Sequence, residues 1–291
     1  MSDPTKPDRK PGDVETTGHS WDGIEEFNNP MPRWWVMVFY VCIIWAAGYS
    51  IFYPAWPLIN GATPGVLGWS TRGDVKAEMQ SWTNQNKAIQ AKLVATDLGQ
   101  IKNDPALSQY ATNAGAAVFR TWCAQCHGSG AQGNKGFPNL LDDDWLWGGT
   151  LKDIAFTVTH GVRNTDDSEA RYSQMPAFGR DGILTQPQIA QVVQYVMSLT
   201  NAATDPKAVE AGKTIFADNC AACHGAGGKG DRAMGAPNLT DAIWLYGGDR
   251  KTLTETVTNA RFGVMPAWGK RLSEADIRAV TYYVHSLGGG E

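Results

Sequence analysis

Apolar and polar positions alternate with different periods along the 291-residue chain, and each change of period marks a different element. From Trp34 to Tyr53 the apolar run WWVMVFYVCIIWAAGYSIFY is almost continuous, and no charged residue occurs between Trp34 and Thr71. Twenty residues rising about 1.5 Å each cross a hydrocarbon layer ~30 Å thick. The pattern therefore predicts one transmembrane anchor over residues 34–56. Trp34, Trp35, Tyr49, Tyr53 and Trp56 fall toward its ends, where aromatic rings prefer the membrane surface, and Pro54 and Pro57 stop the helix. A buried soluble helix rarely runs this far without a charge. A cleaved signal has a shorter apolar core, about 7–15 residues, nearer the N-terminus. Ala46, Ala47, Gly48 and Ser50 thin one stretch of the span and would let a second membrane helix approach, whereas Cys42 reads as packing.

Residues 1–33 are polar and mixed in charge and read as a disordered tail. Residues 57–108 read as a Gly/Pro-punctuated linker followed by a helical spacer. There Val75, Met79, Trp82, Ile89 and Leu93 recur at helical spacing until Asp104-Pro105. Beyond it the helical period returns in two similar blocks. Ile189, Val192, Val193, Val196 and Leu199 make one apolar stripe, and Ile277, Val280, Val284 and Leu287 another. Thr185 with Gln188, and Ser273 with Asp276, have the spacing of helix-start caps, and Gly288 suits a helix stop. Short helices are expected over 151–159 and 253–259. Strand signals are nearly absent, so the expected fold is all-α.

The two blocks are copies. Phe119-Arg-Thr-Trp-Cys-Ala-Gln-Cys-His-Gly128 matches Phe216-Ala-Asp-Asn-Cys-Ala-Ala-Cys-His-Gly225 at an offset of 97. Pro138-Asn-Leu matches Pro237-Asn-Leu, and Trp145-Leu-Trp-Gly-Gly matches Trp244-Leu-Tyr-Gly-Gly. Met175-Pro-Ala-Phe-Gly matches Met265-Pro-Ala-Trp-Gly, and Tyr195-Val-Met-Ser-Leu matches Tyr283-Val-His-Ser-Leu. The order is preserved, and the first copy has a longer loop around Asn164–Tyr172. The repeat divides the chain into residues 109–204 and 205–291.

Composition now narrows the chemistry. With 43% hydrophobic and 19% charged residues the chain is folded. A net charge of −4 argues against bulk nucleic-acid binding. Five cysteines are too few for a disulfide scaffold, but four of them stand in the two Cys-Xaa-Xaa-Cys-His sequences. That pentapeptide is the attachment site of a c-type haem. Two thiols one turn apart reach the two vinyl groups on one porphyrin edge, and the adjacent His falls beneath the iron. Cys123 and Cys126 thus hold one haem with His127 as axial ligand, and Cys220 and Cys223 hold another with His224. A covalent porphyrin also supplies the core that copies of this size lack. Structural zinc would bring two Cys pairs about 15–20 residues apart, and here 93 residues separate Cys126 from Cys220. A thioredoxin-like reading of Trp122–Cys126 lacks the strand it needs.

Met175 and Met265, at matched positions before each last helix, are the candidate distal ligands, soft thioethers that favour Fe(II). Met79, Met197 and Met234 lack that context. His160 faces Asn259 in the other copy, and His285 faces Met197, so both read as structural. Pro138 and Pro237 are candidates to accept the second ring N–H of each His. Trp145, Trp147, Trp244 and Tyr246 either close the haem crevice or bond its propionates. The Asp142-Asp143-Asp144 run reads first as a solvated loop, with steering of a basic donor the alternative. Because c-type haem is attached outside the cytoplasm, the expected topology puts the tail inside and both haem domains in the periplasm.

With polar tail, anchor ending Tyr53-Pro-Ala-Trp-Pro-Leu58, helical spacer and two tandem haem motifs together, residues 20–291 resemble the CcoP/FixP family. This is the dihaem subunit III of cbb-type haem–copper cytochrome c oxidases. The resemblance implies a single N-terminal transmembrane helix followed by two class-I-like cytochrome c domains, in a bacterial inner membrane. It implies a carrier and not an enzyme by itself. Electrons would come from a soluble or membrane cytochrome c, pass through two c-type haems to a monohaem subunit, and reach a proton-pumping catalytic haem–copper subunit. It further implies crossed ligation, with Met265 on the haem held by His127 and Met175 on that held by His224. Spacing alone gives in-domain pairing, and both remain open at this stage. The rival functions are an anchored dihaem subunit fed by a periplasmic dehydrogenase and a dihaem peroxidase.

Overall fold

The computed structural model describes residues 14–291, and its backbone divides between Asn84 and Gln85 into two units. The first unit holds a short antiparallel hairpin, β1 (Thr16–Trp21) and β2 (Ile24–Phe27), where the composition had suggested disorder. Its turn is Asp22-Gly23, both left-handed at φ 51° and 85°, the dipeptide that favours a two-residue hairpin. Helix α1 (Arg33–Phe52) follows, ending at an extended Tyr53 before Pro54. Its most apolar 18-residue stretch has a mean hydropathy of 1.9 and none of it is buried, so by length and composition it can cross a membrane. A small turn pairs β3 (Pro57–Leu58) with β4 (Gly61–Ala62).

Helix α2 runs over Thr71–Ala95 and stops earlier than the apolar spacing suggests. The chain leaves it at Asp97, whose carboxylate accepts the Gly99 N–H and starts a 3₁₀ turn, Leu98–Asn103. Val75, Met79 and Trp82 stay exposed, while Leu93 is fully buried with Ile101, Leu107 and Ala279.

The second unit is helical. In the first repeat α3 (Pro105–Val118), capped by Asp104, passes through a π-helical turn, Phe119–Cys123, into α4 (Ala124–His127). Then come α5 (Leu151–His160) and α6 (Gln186–Ser198). The second repeat has α7 (Pro206–Asn219), α8 (Ala221–His224), α9 (Arg250–Asn259) and α10 (Glu274–His285). The expected caps form: Gln188 Oε1 accepts the Thr185 N–H, and Ser273 Oγ accepts that of Asp276.

The repeat in the sequence and the packing of the helices divide this unit differently. Helix α3 packs against α10 of the other repeat, and α5 packs there too. Helices α7 and α9 pack against α6. One core joins Phe119, Ile154 and Val158 to Trp268, Ile277, Val280 and Val284. The other joins Phe178, Ile189, Val192, Val193 and Val196 to Phe216 and Leu253. Glycine permits both crossings. A Cβ at Gly115 would lie 2.2 Å from the Ala279 carbonyl oxygen, and one at the equivalent Gly212 2.1 Å from that of Gln191. Beside them Phe119 meets Tyr283 with ring centroids 5.6 Å apart, and Phe216 meets Tyr195 at 5.0 Å.

Candidate haem sites

Each Cys-Xaa-Xaa-Cys-His turn ends at a left-handed glycine, Gly128 or Gly225, after which the chain folds back beneath the histidine. Gly133 and Gly230 donate their N–H to the His127 and His224 carbonyls at 2.8 Å. They also let the backbone pass close to Pro138 and Pro237. The return is tight, and it delivers a proline carbonyl to each imidazole: His127 Nδ1 lies 3.0 Å from Pro138 O, and His224 Nδ1 3.0 Å from Pro237 O. A carbonyl can only accept, so Nδ1 carries the proton and Nε2 keeps its lone pair. Burial draws both imidazoles below the usual histidine pKa, opposed only by these hydrogen bonds, and so favours the neutral, ligating form.

The four motif cysteines are unbonded to one another and half-buried. Burial, with the second thiol nearby, pushes Cys123 and Cys220 up to about 11. The unmodified chain thus presents two reduced thiols and a neutral imidazole on one turn, the donor set a c-type haem requires.

The methionines enter from the other repeat. Met265 packs on the core that contains Phe119 and Cys123, and Met175 on the core that contains Phe216 and Cys220. The Met265 segment is pinned to the first repeat by a two-way backbone bridge with Val162, N···O 3.0 Å in each direction, and by Asn164 Nδ2 at 3.2 Å from the Met265 carbonyl. Gly179 and Arg180, after Met175, donate to the Thr258 carbonyl at 3.1 and 2.9 Å.

The tryptophans differ. Trp145 joins the first core and gives its indole N–H to the Gly289 carbonyl, and Trp244 joins the second. Trp147 and Tyr246 lean on the opposite repeats: a Cβ at Gly235 would strike Trp147 at 2.2 Å, and Gly136 lies against Tyr246. Arg171 stacks on Trp147 at 5.5 Å, and Arg261 on Tyr246 at 5.0 Å. These arginines, four residues before each methionine, are a matched pair that the repeat alignment contained and the sequence reading passed over. Trp147 Nε1 and Arg171 Nε are buried without acceptors among the described residues. His160 is a loop staple, its Nδ1 3.1 Å from Asp167 Oδ2.

Two repeats that each present a haem-attachment turn, a carbonyl-held histidine and a core with an attendant methionine define a dihaem cytochrome c. Family comparison agrees along the chain. Residues 112–200 match the cytochrome c model, residues 207–284 that of cbb3-type cytochrome c oxidase subunit III, and residues 13–60 the N-terminal domain of cytochrome oxidase-cbb3, FixP. The chain is 67% identical over 288 residues to a cbb3-type cytochrome c oxidase subunit CcoP of Cereibacter sphaeroides, covering 99% of both. It is 55% identical to a CcoP of Rhodobacter capsulatus (96% of this chain, 97% of the relative) and 52% identical to a FixP of Sinorhizobium medicae (96% of each). The chain belongs to the CcoP/FixP family of cbb3-type cytochrome c oxidase subunits, and it carries two c-type haems.

Proposed function

We propose that this chain is the electron-entry subunit of a cbb3-type oxidase, taking electrons from a donor cytochrome c and passing them to the monohaem and catalytic haem–copper subunits. A bound c-type haem supplies a one-electron iron couple. His127 and His224 each offer Nε2 on one side of a haem. Met265 and Met175 offer thioethers on the other, in the crossed pairing. The observation that carries this reading is the sharing of cores: Met265 with Cys123, Met175 with Cys220. Held by a histidine and a methionine, each haem would have no open position, which suits a carrier and tells against a dihaem peroxidase. Trp147 Nε1 and Arg171 Nε, buried without acceptors among the described residues, fit as donors to haem carboxylates. The three relatives named above are oxidase subunits, which favours this reading over the dehydrogenase-linked one.

The two haem units are interleaved, each completed by a methionine and a last helix from the opposite repeat. Helix α1 anchors them in the inner membrane, tail in the cytoplasm and haem repeats in the periplasm. Extraction from the native membrane in mild detergent tests the reading. Co-purifying b-type haem and copper, with oxygen uptake driven by reduced cytochrome c, is the expected result. A dehydrogenase partner with neither would refute the oxidase assignment.

A further inference from the structure

The first repeat carries a loop between Gly161 and Arg171 that the second lacks, where Ala260 leads straight into Arg261. The loop closes on itself: Arg163 N–H donates to the Arg171 carbonyl at 2.8 Å, and Arg171 N–H to the Gly161 carbonyl at 3.1 Å. Arg163 sits at its root in a left-handed conformation, φ 51°, unusual for a residue with a long side chain and sustained only where surrounding contacts fix it. Those contacts are specific. Arg163 Nε donates to the Gly263 carbonyl at 2.8 Å, and its Nη1 to the Ser173 carbonyl at 3.2 Å. Gly263 lies two residues before Met265 and Ser173 two residues before Met175. One guanidinium therefore holds the same backbone position of both methionine segments. Its Cζ lies 5.8 Å from the centroid of the Phe262 ring. Among the described residues no carboxylate pairs with it, although it is half-buried.

We propose that Arg163 is a positioning residue shared by the two haem sites, a clamp that sets both axial methionines at once and places one unpaired positive charge beside both irons. The proposal rests on the reading that Met175 and Met265 are the iron ligands, whichever haem each serves. The guanidinium suits the task because its planar fork presents several donors at fixed angles to two diverging carbonyls, whereas lysine offers its three donors from one nitrogen on a flexible stem. An uncompensated cation near both irons favours the reduced state of each and so raises both potentials.

The test uses the intact oxidase complex, with visible spectroscopy and redox titration resolving the two haems of this subunit. In R163Q the sulfur-to-iron charge-transfer band falls by more than half, carbon monoxide binds at both haems, and both midpoint potentials drop. R163K keeps the charge but loses the fork: the band weakens while the potentials stay nearer their original values. It also serves where R163Q assembles poorly. N164A loosens the loop at His160, Asp166 and Asp167 but, of the two methionine segments, releases a contact only to that of Met265, and it costs at most half the band. A full band and unchanged potentials in R163Q overturn the clamp, as does a response confined to one haem. M175H and M265H complete the set. If neither alters the band, the ligand reading falls and the clamp with it. If both do while R163Q does not, the clamp alone falls.

Discussion

At His127 the Pro138 carbonyl accepts a hydrogen bond from Nδ1–H and so decides which nitrogen is left free to face an iron. That arrangement depends on a residue without a side chain: at Gly133, φ 71°, a Cβ would lie 2.6 Å from the Phe137 carbonyl oxygen and 2.7 Å from the Pro138 carbonyl carbon. G133A should destabilise the protein by about 1–3 kcal/mol. By loosening the Nδ1 hydrogen bond it should also make the imidazole a weaker donor and raise the potential of the first haem only. Redox titration checks this, and G230A should do the same at the second haem. A different residue-scale effect operates at Asp142 and Asp144. Their pKa values are raised, first by burial and then by neighbouring carboxylates, Asp241 among them. A carboxyl whose folded pKa is raised binds its proton more readily in the folded state, so its ionised form disfavours folding at neutral pH. D144N should therefore melt slightly higher than the parent at pH 7. The gap should close as the pH falls into the carboxylate range, where the parent sheds the same charge. Parallel thermal melts across pH test the sign.

Among the elements, the helix crossings decide which parts of the chain share a haem. Gly115 admits the Ala279 backbone and Gly212 admits that of Gln191, so α3 meets α10 and α7 meets α6. G115A should cost about 1–3 kcal/mol through overpacking, read by denaturant unfolding, with the first haem's spectrum disturbed and the second's retained. G212A should reverse the pattern. Much of this scale was legible in the sequence. Helix α1 begins and ends within one residue of the apolar run but stops four residues short of the anchor bound at 56, and Thr185 and Ser273 start their helices as their spacing implies. The motif histidines and prolines meet as the repeat suggested. The crossing came only from the family resemblance and not from the spacing. Equivalent residues in a duplicated sequence satisfy one another equally well within a repeat or between repeats, and periodicity cannot tell the two apart. The hairpin at 16–27 was missed because polar composition outweighed its Asp22-Gly23 turn. Helix α2 ended early because the Asp97 cap competes with an apolar spacing that would otherwise run on.

For the whole molecule, interleaving makes neither haem unit complete until the C-terminal segment has arrived. A chain ended at residue 204 retains Cys123, Cys126 and His127 but lacks Met265 and α10. It should accumulate, if at all, as a high-spin protein without the methionine-to-iron band, binding carbon monoxide rapidly. A self-contained first repeat would instead give a low-spin cytochrome with the band intact. Absorption spectra of the haem-loaded truncation decide between these. Interleaving also holds both sets of haem-attachment cysteines and histidines in one packed body, so electron transfer between the haems they would hold need not wait on the encounter of two tethered domains. The Arg163 clamp acts at this scale too, because it ties both methionine segments to one side chain. The account stands most directly on the axial ligands. An experimental structure of the intact oxidase complex, at a resolution that shows ligands to iron, should place His127 and Met265 on one haem and His224 and Met175 on the other. Met175 on the haem of His127 would contradict it.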